Sequence, residues 1–503
     1  MQKDVSVLVS SQRISRLERR DLPLSTILYE TTVAPSAPSC EADQGRWHGP
    51  DGQHRSSMVG VRLKHGPRCV LPKIASNRDR RLTDEGQTMQ GRYAPILSSG
   101  GYSSEALAYL TGLYRHTHVR RNQLKALQHG DLVSESYLQG LDRESLTVLQ
   151  EYYADEGDVN RRIAAQSISV CHSEPGGWSL PKPLYMTSTC PPPGAAYKIG
   201  RTMFETDTLT QEHVRRCNVM DEVWVPTAFN AASFAAAGVD PSKIFVLPQG
   251  VDTEVFDPTR VEKTRIFPSG EVLLSSETSF AIAGRYKFLS IFKWEKRKGW
   301  SILLDAYLSE FDGTDRVSLH ILTQLDPESL PRKELDSYLK QKQLLHPNKN
   351  WPHVVLITEH MTHKKLLSLY RTVDAFVLPS RGEGWGRPHM EAMAMELPVI
   401  ATNWSGPTAF LSPTVGYLLD IDNLEEIEEG FMSGHKWAMP SVTHLRTLMR
   451  NLYLHPEEGK KKGRLARLHI LENFSVRSCA QALLQHIQRA TSAARSKLLK
   501  EEL

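Results

Sequence analysis

The sequence predicts an α/β protein built on parallel sheets with helices on both faces, divided between two domains. Three observations carry that expectation. Short, nearly uninterrupted apolar runs recur along the chain: DEVWVPT, KIFVLPQGVD, YKFLSIFKW, VSLHILTQ, HVVLIT, AFVLPS and LPVIATN. Such runs mark strands buried on both faces. Helix-forming stretches (NAASFAAAG, WSILLDAYLSEF, KKLLSLYRTV, HMEAMAM) separate most of them, the alternation expected of βαβ units. At 503 residues the chain exceeds one ordinary domain and suits two or three.

Residues 1–92 read differently from the rest, with 15 Lys/Arg against 10 Asp/Glu and polar, Gly- and Pro-punctuated stretches such as SCEADQGRWHGPDGQHRSS. They are expected to form a poorly ordered N-terminal extension. From Tyr93, YAPILSSGG is a strand running into Gly100 and Gly101, and SSEALAYLTGLYRH follows as a helix with Ser103 or Ser104 as its cap. RIAAQSISVCHSEPGG is strand-like until Pro175, Gly176 and Gly177 stop it. The polar stretch from Phe256 to Ala283 reads as the linker between the two α/β domains, and Lys460 to Ala494 reads as helix.

Lys plus Arg total 61 against 57 for Asp plus Glu, a net +4 that gives no reason to expect nucleic acid or an anionic membrane as a partner. No segment approaches the roughly 18 apolar residues of a spanning helix. The N-terminus MQKDVSVLVSSQRISRLERR places Asp4 ahead of a short apolar run and its arginines after it, the wrong order for a signal peptide. Six cysteines (Cys40, Cys69, Cys171, Cys190, Cys217 and Cys479) show no CxxC pair or metal-ligand spacing and are expected to be reduced thiols. The expected location is the cytoplasm or the cytosolic face of a membrane.

Ligands of open α/β sheets sit beyond the carboxyl ends of the strands. Gly100–Gly101 follows a strand there, although the pair fits a plain turn equally well. Neither GxGxxG nor a Walker lysine motif is present, which counts against a Rossmann dehydrogenase or a P-loop ATPase. SRGEGWGRPHMEAMAM follows the strand AFVLP; Gly382, Gly384 and Gly386 make a tight loop and Pro388 stands where a helix begins. The unpaired N–H groups and dipole of that helix start suit an anionic diphosphate. Glu383 in the loop and Glu391 on the helix lie eight positions apart, placed to grip neutral hydroxyls on either side. Upstream, FKWEKRKG carries Lys293 and Lys298 around a turn, where fixed cations suit a diphosphate leaving group. A solvated basic turn fits that segment as well.

SRGEGWGRPHMEAMAMELPVIATNWSGPT resembles the E-x7-E signature of retaining glycosyltransferases of the group 1 (family 4) type. KWEKRKGW is similar to that family's phosphate-binding turn, and DEVWVPTAFNAASFAAAGVDPSKIFVLPQGVDTEVF to its interdomain segment. The matches run in the family's order from about Tyr93 to Ala494. The resemblance implies the GT-B fold: two facing Rossmann-like domains with parallel sheets, the donor nucleotide sugar held mostly by the second, and a C-terminal helix crossing back to the first. It divides the chain into residues 1–92, an N-terminal acceptor domain at 93–265, a C-terminal donor domain at 266–475 and the returning helix at 476–503.

Carried onto this sequence, the resemblance implies that Glu391 holds the ribose hydroxyls and Glu383 the transferred sugar near O3 and O4. Lys293, in place of the more usual arginine, and Lys298 would neutralise the diphosphate. Amides of Gly384, Trp385, Gly386 and Arg387 would support sugar and phosphates, Gly100 and Gly101 would form the glycine loop, and His172 would face the donor sugar. The base would be read around Thr358 to Lys364. The implied activity is transfer of a hexose-type sugar from a nucleotide diphosphate sugar, UDP- or GDP-linked, to a hydroxyl acceptor (glycan, lipid, protein or small molecule). No DxD-like metal triad stands out, so no metal and no further cofactor are expected. Two departures stand: Ala409 replaces a frequent acidic residue, and Glu396 occupies a position where glycine is common. A nucleotide-sugar epimerase or hydrolase on the same fold, or a catalytically silent binding protein, are the alternatives.

Overall fold

In the computed structural model the described residues are 90–120, 123–154, 167–178, 190–263, 270–275, 284–323, 329–359, 361–428 and 430–501. The expected extension lies outside them except for residues 90–92, which belong to the first strand. Cys40 and Cys69 lie outside them too.

Two sheets organise the chain. The first holds β1 (Gln90–Ala94), β2 (Leu124–Gln128), β3 (Ile168–His172), β4 (Tyr197–Arg201), β5 (Glu222–Val225) and β6 (Ile244–Val246), in the order β2-β1-β3-β4-β5-β6, every pair parallel. Its helices are α1 (Gly101–His116), α2 (Glu135–Gly140), α3 (Arg143–Tyr152), α4 (Gln211–Val219) and α5 (Ala228–Ala237). The second sheet holds β7 (Glu271–Leu274), β8 (Tyr286–Ile291), β9 (Val317–Leu322), β10 (His353–Ile357), β11 (Ala375–Leu378), β12 (Val399–Thr402) and β13 (Tyr417–Leu419), ordered β13-β12-β11-β8-β9-β10-β7. Its helices are α6 (Trp300–Glu310), α7 (Leu330–Leu345), α8 (His363–Thr372) and α9 (Arg387–Ala394). A hairpin of β14 (Ile421–Glu426) and β15 (Lys436–Pro440) follows, then α10 (Val442–Leu454), α11 (Pro456–Asn473) and α12 (Val476–Glu501).

The continuous apolar runs become strands covered on both faces: β9, β10, β11 and β12 are buried at every position. Side-chain caps from Asp142, Thr210, Thr227, Ser329, Thr362 and Ser441 start most of the helices between them. The expected cap of α1 differs. Gly100 occupies that position at φ 148°, and Ser103 and Ser104 lie within the first turn. The chain must turn sharply off β1, and glycine adopts that backbone without strain.

The stretch read as a linker contains β7, which joins the second sheet as an edge strand antiparallel to β10. EVLL is too short to declare itself, and Gly270 before it lets the chain pass close: a Cβ there would stand 2.5 Å from Val355 Cγ1. The C-terminal helical stretch is broken at Phe474–Ser475, where Val251 N–H donates to Phe474 O (2.9 Å) and Val476 N–H to Val251 O (3.1 Å). That short bridge ties the chain's two crossing points together. Beyond it α12 returns to the first sheet, burying Cys479, Ala480, Leu483, Ala490 and Ala494 in one cluster with Ala106, Tyr109, Leu110 and Leu113 of α1. The architecture is the GT-B arrangement, with the C-terminal helix crossing back.

The cysteines correct the sequence expectation. Cys171, in β3, is bonded to Cys190, 19 residues on, with both side chains fully buried. Neither spacing nor motif announces the pair, because β3 and the start of the segment leading to β4 meet only in the folded sheet. Cys217 and Cys479 are free and buried.

Glu396 departs from the glycine expected there and takes φ 62°, a left-handed conformation that costs a non-glycine residue about 1–2 kcal/mol. Glu396→Gly should therefore raise stability by about 1 kcal/mol, read as an upward shift of the denaturation midpoint. Loss of the Cys171–Cys190 bond in a C171S/C190S variant should lower stability by about 3 kcal/mol for a loop of this size. Alkylation and mass spectrometry of the unreduced, denatured protein should find both sulfurs protected; labelled Cys171 would refute the assignment.

Candidate active site

The carboxyl ends of the two sheets' strands meet across the lobe boundary. From the second lobe come the turn after β8 (Phe292 to Gly299), the loop after β11 (Pro379 to Gly386) and the turn after β12 (Asn403 to Ala409). From the first lobe comes the segment after β4. It fits because the loop after β11 lacks side chains: a Cβ on Gly382 would stand 2.1 Å from Glu205 O, and one on Gly384 2.6 Å from Met203 Sδ. Gly382 and Gly384 thus serve close lobe contact as well as the turn. Gly386, at φ 107°, forms the N-cap of α9, with Arg387 and Pro388 opening the helix.

Glu383 is the charged centre of this loop. Its carboxylate is 6% exposed and meets Lys298 Nζ at 2.7 and 2.8 Å, with Arg297 Nη1 at 3.4 Å. Burial opposes the charge, but the two cations outweigh it and hold the carboxyl down to about 2. Main-chain bonds brace the loop: Arg381 N–H donates to Arg297 O (2.7 Å) and Gly406 N–H to Glu383 O (2.9 Å). Ser405 Oγ accepts from Glu383 N–H at 3.0 Å. Ser405 sits at φ 59°, ψ −143°, a strained conformation of the kind that persists where surrounding contacts impose it.

Glu391 projects from α9 and accepts from Tyr370 Oη at 3.0 Å. Burial raises its carboxyl above the ordinary value, against the opposing pull of Arg387 and Tyr370. Arg387 Nη1 reaches Gly250 O at 3.3 Å. Glu383, Gly384, Gly386, Arg387 and Glu391 therefore share one loop-and-helix unit, which Lys298 joins from the turn after β8. Lys293 stands apart, exposed on the turn after β8. Arg297, absent from the sequence-based site, takes the inward position instead. KRK offered three cations in a row, and only the short 3-10 turn at Lys296–Lys298, closed by Gly299 at φ 66°, decides which ones turn in.

Trp385 is 2% exposed and packs its ring between Phe410 (5.2 Å) and Phe474 (5.7 Å), so its side chain belongs to the core. Ala409 is partly buried against the same core. Gly100 and Gly101 have no atom within 4 Å of where a side chain would stand, leaving their backbone open on that side. The Thr358–Lys364 stretch leads into α8, with residue 360 outside the described residues; Thr362 is the cap and His363 lies 5.5 Å from the Phe256 ring.

His172 is fully buried. Its Nε2 lies 2.9 Å from Glu105 Oε2, and Arg201 Nε donates to Glu105 Oε1 at 2.7 Å; all three side chains are inaccessible. Burial works against the Glu105 charge, and Arg201 and His172 overcome it, leaving the carboxyl at about 2. Glu105 was missed from the sequence, although it lies on the helix face of Tyr109 and Gly112 that α1 turns inward, where an acid needs a partner. Tyr102 on the same helix joins the cluster to the boundary segment: its hydroxyl lies 3.3 Å from Thr202 Oγ1 and accepts from Met203 N–H at 3.3 Å.

Residues 279–433, which hold Lys293, Lys298, Glu383 and Glu391, match the family of glycosyl transferases group 1. Over that stretch the chain is similar to the group 1 family, and its fold is GT-B. Human alpha-1,3/1,6-mannosyltransferase ALG2 is 20% identical over 278 residues, covering 54% of this chain and 58% of that protein. D-inositol 3-phosphate glycosyltransferase of Segniliparus rotundus is 28% identical over 183 residues, 36% of each chain. The present chain thus spans between 36% and 58% of these curated relatives. Among solved structures, Anabaena HepE in complex with UDP and glucose superposes with a TM-score of 0.54 at 13% identity, over 80% of this chain and 100% of that one. Among the described residues no helix is long and apolar enough to cross a membrane.

Glu105→Gln should destabilise the protein by about 3–5 kcal/mol, because it leaves Arg201 buried without its counter-charge. With the wild-type carboxyl held at about 2 against an ordinary 4.5, its contribution is complete above pH 4.5 and is lost as pH falls from 4.5 towards 2. Denaturant midpoints across that window should fall less steeply in Glu105→Gln than in wild type. Parallel curves would mean that the pair contributes nothing.

Proposed function

We propose that the protein is a retaining glycosyltransferase that moves a hexose-type sugar from a nucleotide diphosphate sugar to a hydroxyl acceptor without a required metal ion. The observation that carries this reading is the Glu383–Lys298 pair at the mouth of α9, with Glu391 eight residues on along the same helix. Lys298 and the N–H groups opening α9 supply positive charge where a departing diphosphate gains negative charge. Glu383 accepts from the hydroxyls of the transferred sugar and Glu391 from those of the ribose. Lys293, exposed on the turn after β8, supports the distal phosphate, and the open Gly100–Gly101 backbone faces the sugar from the first lobe.

In the transfer step the bond from C1 to the diphosphate oxygen breaks with its electron pair leaving on the oxygen. The acceptor oxygen bonds C1 on the same face and passes its proton to the leaving phosphate oxygen. His172 enters as a buried positioning group: it holds Glu105, and Glu105 holds Arg201 at the end of β4. The UDP and glucose bound by the Anabaena protein make UDP-glucose the first donor to try, and the mannosyl transfer named for ALG2 makes a GDP-linked mannose the second. The expected cytosolic or cytosol-facing location has to accommodate the Cys171–Cys190 bond, whose burial shields it from small thiols.

Calorimetric titration of the full-length protein with UDP and GDP, with and without EDTA, tests the reading. One nucleotide should bind, EDTA should leave turnover of its sugar conjugate unchanged, and Glu391→Ala should weaken nucleotide binding about tenfold or more. Because burial raises the Glu391 carboxyl, affinity should begin to fall at a pH above the ordinary 4.5 as pH is lowered, and Glu391→Gln should flatten that profile. Binding of neither nucleotide, or turnover abolished by EDTA and restored by manganese, would refute the donor and metal assignments respectively.

A further inference from the structure

The second lobe grips five consecutive residues of the first. Met203 packs beside Gly384 and against the second lobe's core. The Phe204 ring lies 6.4 Å from that of His435. Glu205 presents its carbonyl to Gly382 and its carboxylate to Arg297, Oε1 lying 3.7 Å from Nη2. Thr206 Oγ1 lies 3.1 Å from His435 Nδ1. Asp207 N–H donates to Lys436 O at 3.0 Å, and its Oδ1 accepts from Lys436 N–H at 2.7 Å. The hairpin of β14 and β15 supplies or flanks the last of these partners, and it is itself tied to the loop after β11 by Arg381 to Glu425 and by Ala438 N–H to Arg381 O at 2.9 Å.

Arg297 is the side chain through which this seam reaches the site. It is 20% exposed; Nη1 donates to Gly382 O at 2.7 Å and reaches Glu383 Oε2 at 3.4 Å, while Nη2 faces Glu205 and Glu295. Its own carbonyl accepts from Arg381 N–H, so main chain and side chain both hold the residues around Glu383. Lys298 meets both oxygens of Glu383 but is a point charge on a flexible stem, whereas a planar guanidinium fixed at two ends sets an orientation.

We infer that Arg297 is a positioning residue for the donor sugar, orienting the Glu383 carboxylate and coupling it across the lobe boundary to Glu205. The inference rests on the donor-site reading above and assigns to Arg297 and Glu205 a role that the E-x7-E pattern leaves open. Arg297 acts on the sugar through Glu383 and leaves nucleotide grip to Lys298 and Glu391. The first lobe thereby contributes a charge to the donor site in addition to the Gly100–Gly101 backbone.

The test uses the full-length chain and compares the affinities of UDP and UDP-glucose, the ratio of which isolates the sugar's contribution. R297M should reduce that ratio about tenfold while UDP affinity stays within about threefold, and R297K should recover part of it. E205Q should act in the same direction, and R297M/E205Q should lose no more than R297M alone. UDP affinity falling in step with that of UDP-glucose would make Arg297 a plain phosphate cation and overturn the inference. Losses that multiply in the double variant would overturn the coupling. If wild type binds neither ligand, the same ratio is read with GDP and GDP-mannose; if it binds none of the four the donor reading itself fails, and hydrogen exchange then decides the seam. R297M should speed exchange both at Ser380–Arg387 and at Met203–Asp207; an increase confined to Ser380–Arg387 would overturn the link across the boundary.

Discussion

A carboxylate with no access to water sits at the base of this architecture. Glu105 lies on the inward face of α1, and its charge is tolerable only because Arg201 from the end of β4 and His172 from the end of β3 converge on it. The arrangement joins a helix to two central strands at their carboxyl ends, where the chain must leave the sheet along a defined path. Immediately after Arg201 the chain runs through Thr202 to the five residues that meet the second lobe. The orientation of that segment therefore traces back to one buried ion pair whose acid lies 96 residues before Arg201 in sequence.

Across the boundary the second lobe answers with backbone rather than bulk. Gly382 and Gly384 remove the side chains that would collide with Glu205 and Met203, and the strained Ser405 directs its hydroxyl at the Glu383 amide. The loop after β11 is consequently held on three sides: by the turn after β12, by Arg297 and Lys298, and by the first lobe. Glu383 can remain ionised at 6% exposure because its counter-charges come from a different turn of the same lobe. A carboxylate so prepared is suited to accept hydrogen bonds from neutral hydroxyls, which links this geometry to the proposed donor site.

Much of this was legible before folding, for reasons that differ by element. β9 to β12 announced themselves because strands covered on both faces must be apolar at every position. The glycine loop and α9 were legible because a tight turn and a helix start require particular residues at fixed spacing. β7 was read as linker, since four residues carry too little periodicity and its pairing with β10 is set by a strand far along the chain. The cap of α1 was misplaced by local reasoning because the demand at Gly100 comes from the exit angle of β1. Arg297 went unread because a run of cations has no intrinsic inward side.

The sequence by itself determined the alternation of strand and helix, the glycine-bearing loop, and the eight-residue spacing that puts Glu383 and Glu391 at one helix start. Each is a short-range property, encoded within one or two turns of chain. Tertiary structure alone decided that Lys298 meets Glu383 across 85 residues, that His172 is sealed behind Glu105, that Trp385 is core, and that Cys171 finds Cys190. These depend on which segments the sheets bring side by side. Coulombic pairing and burial act through space, so their partners have no fixed separation along the chain.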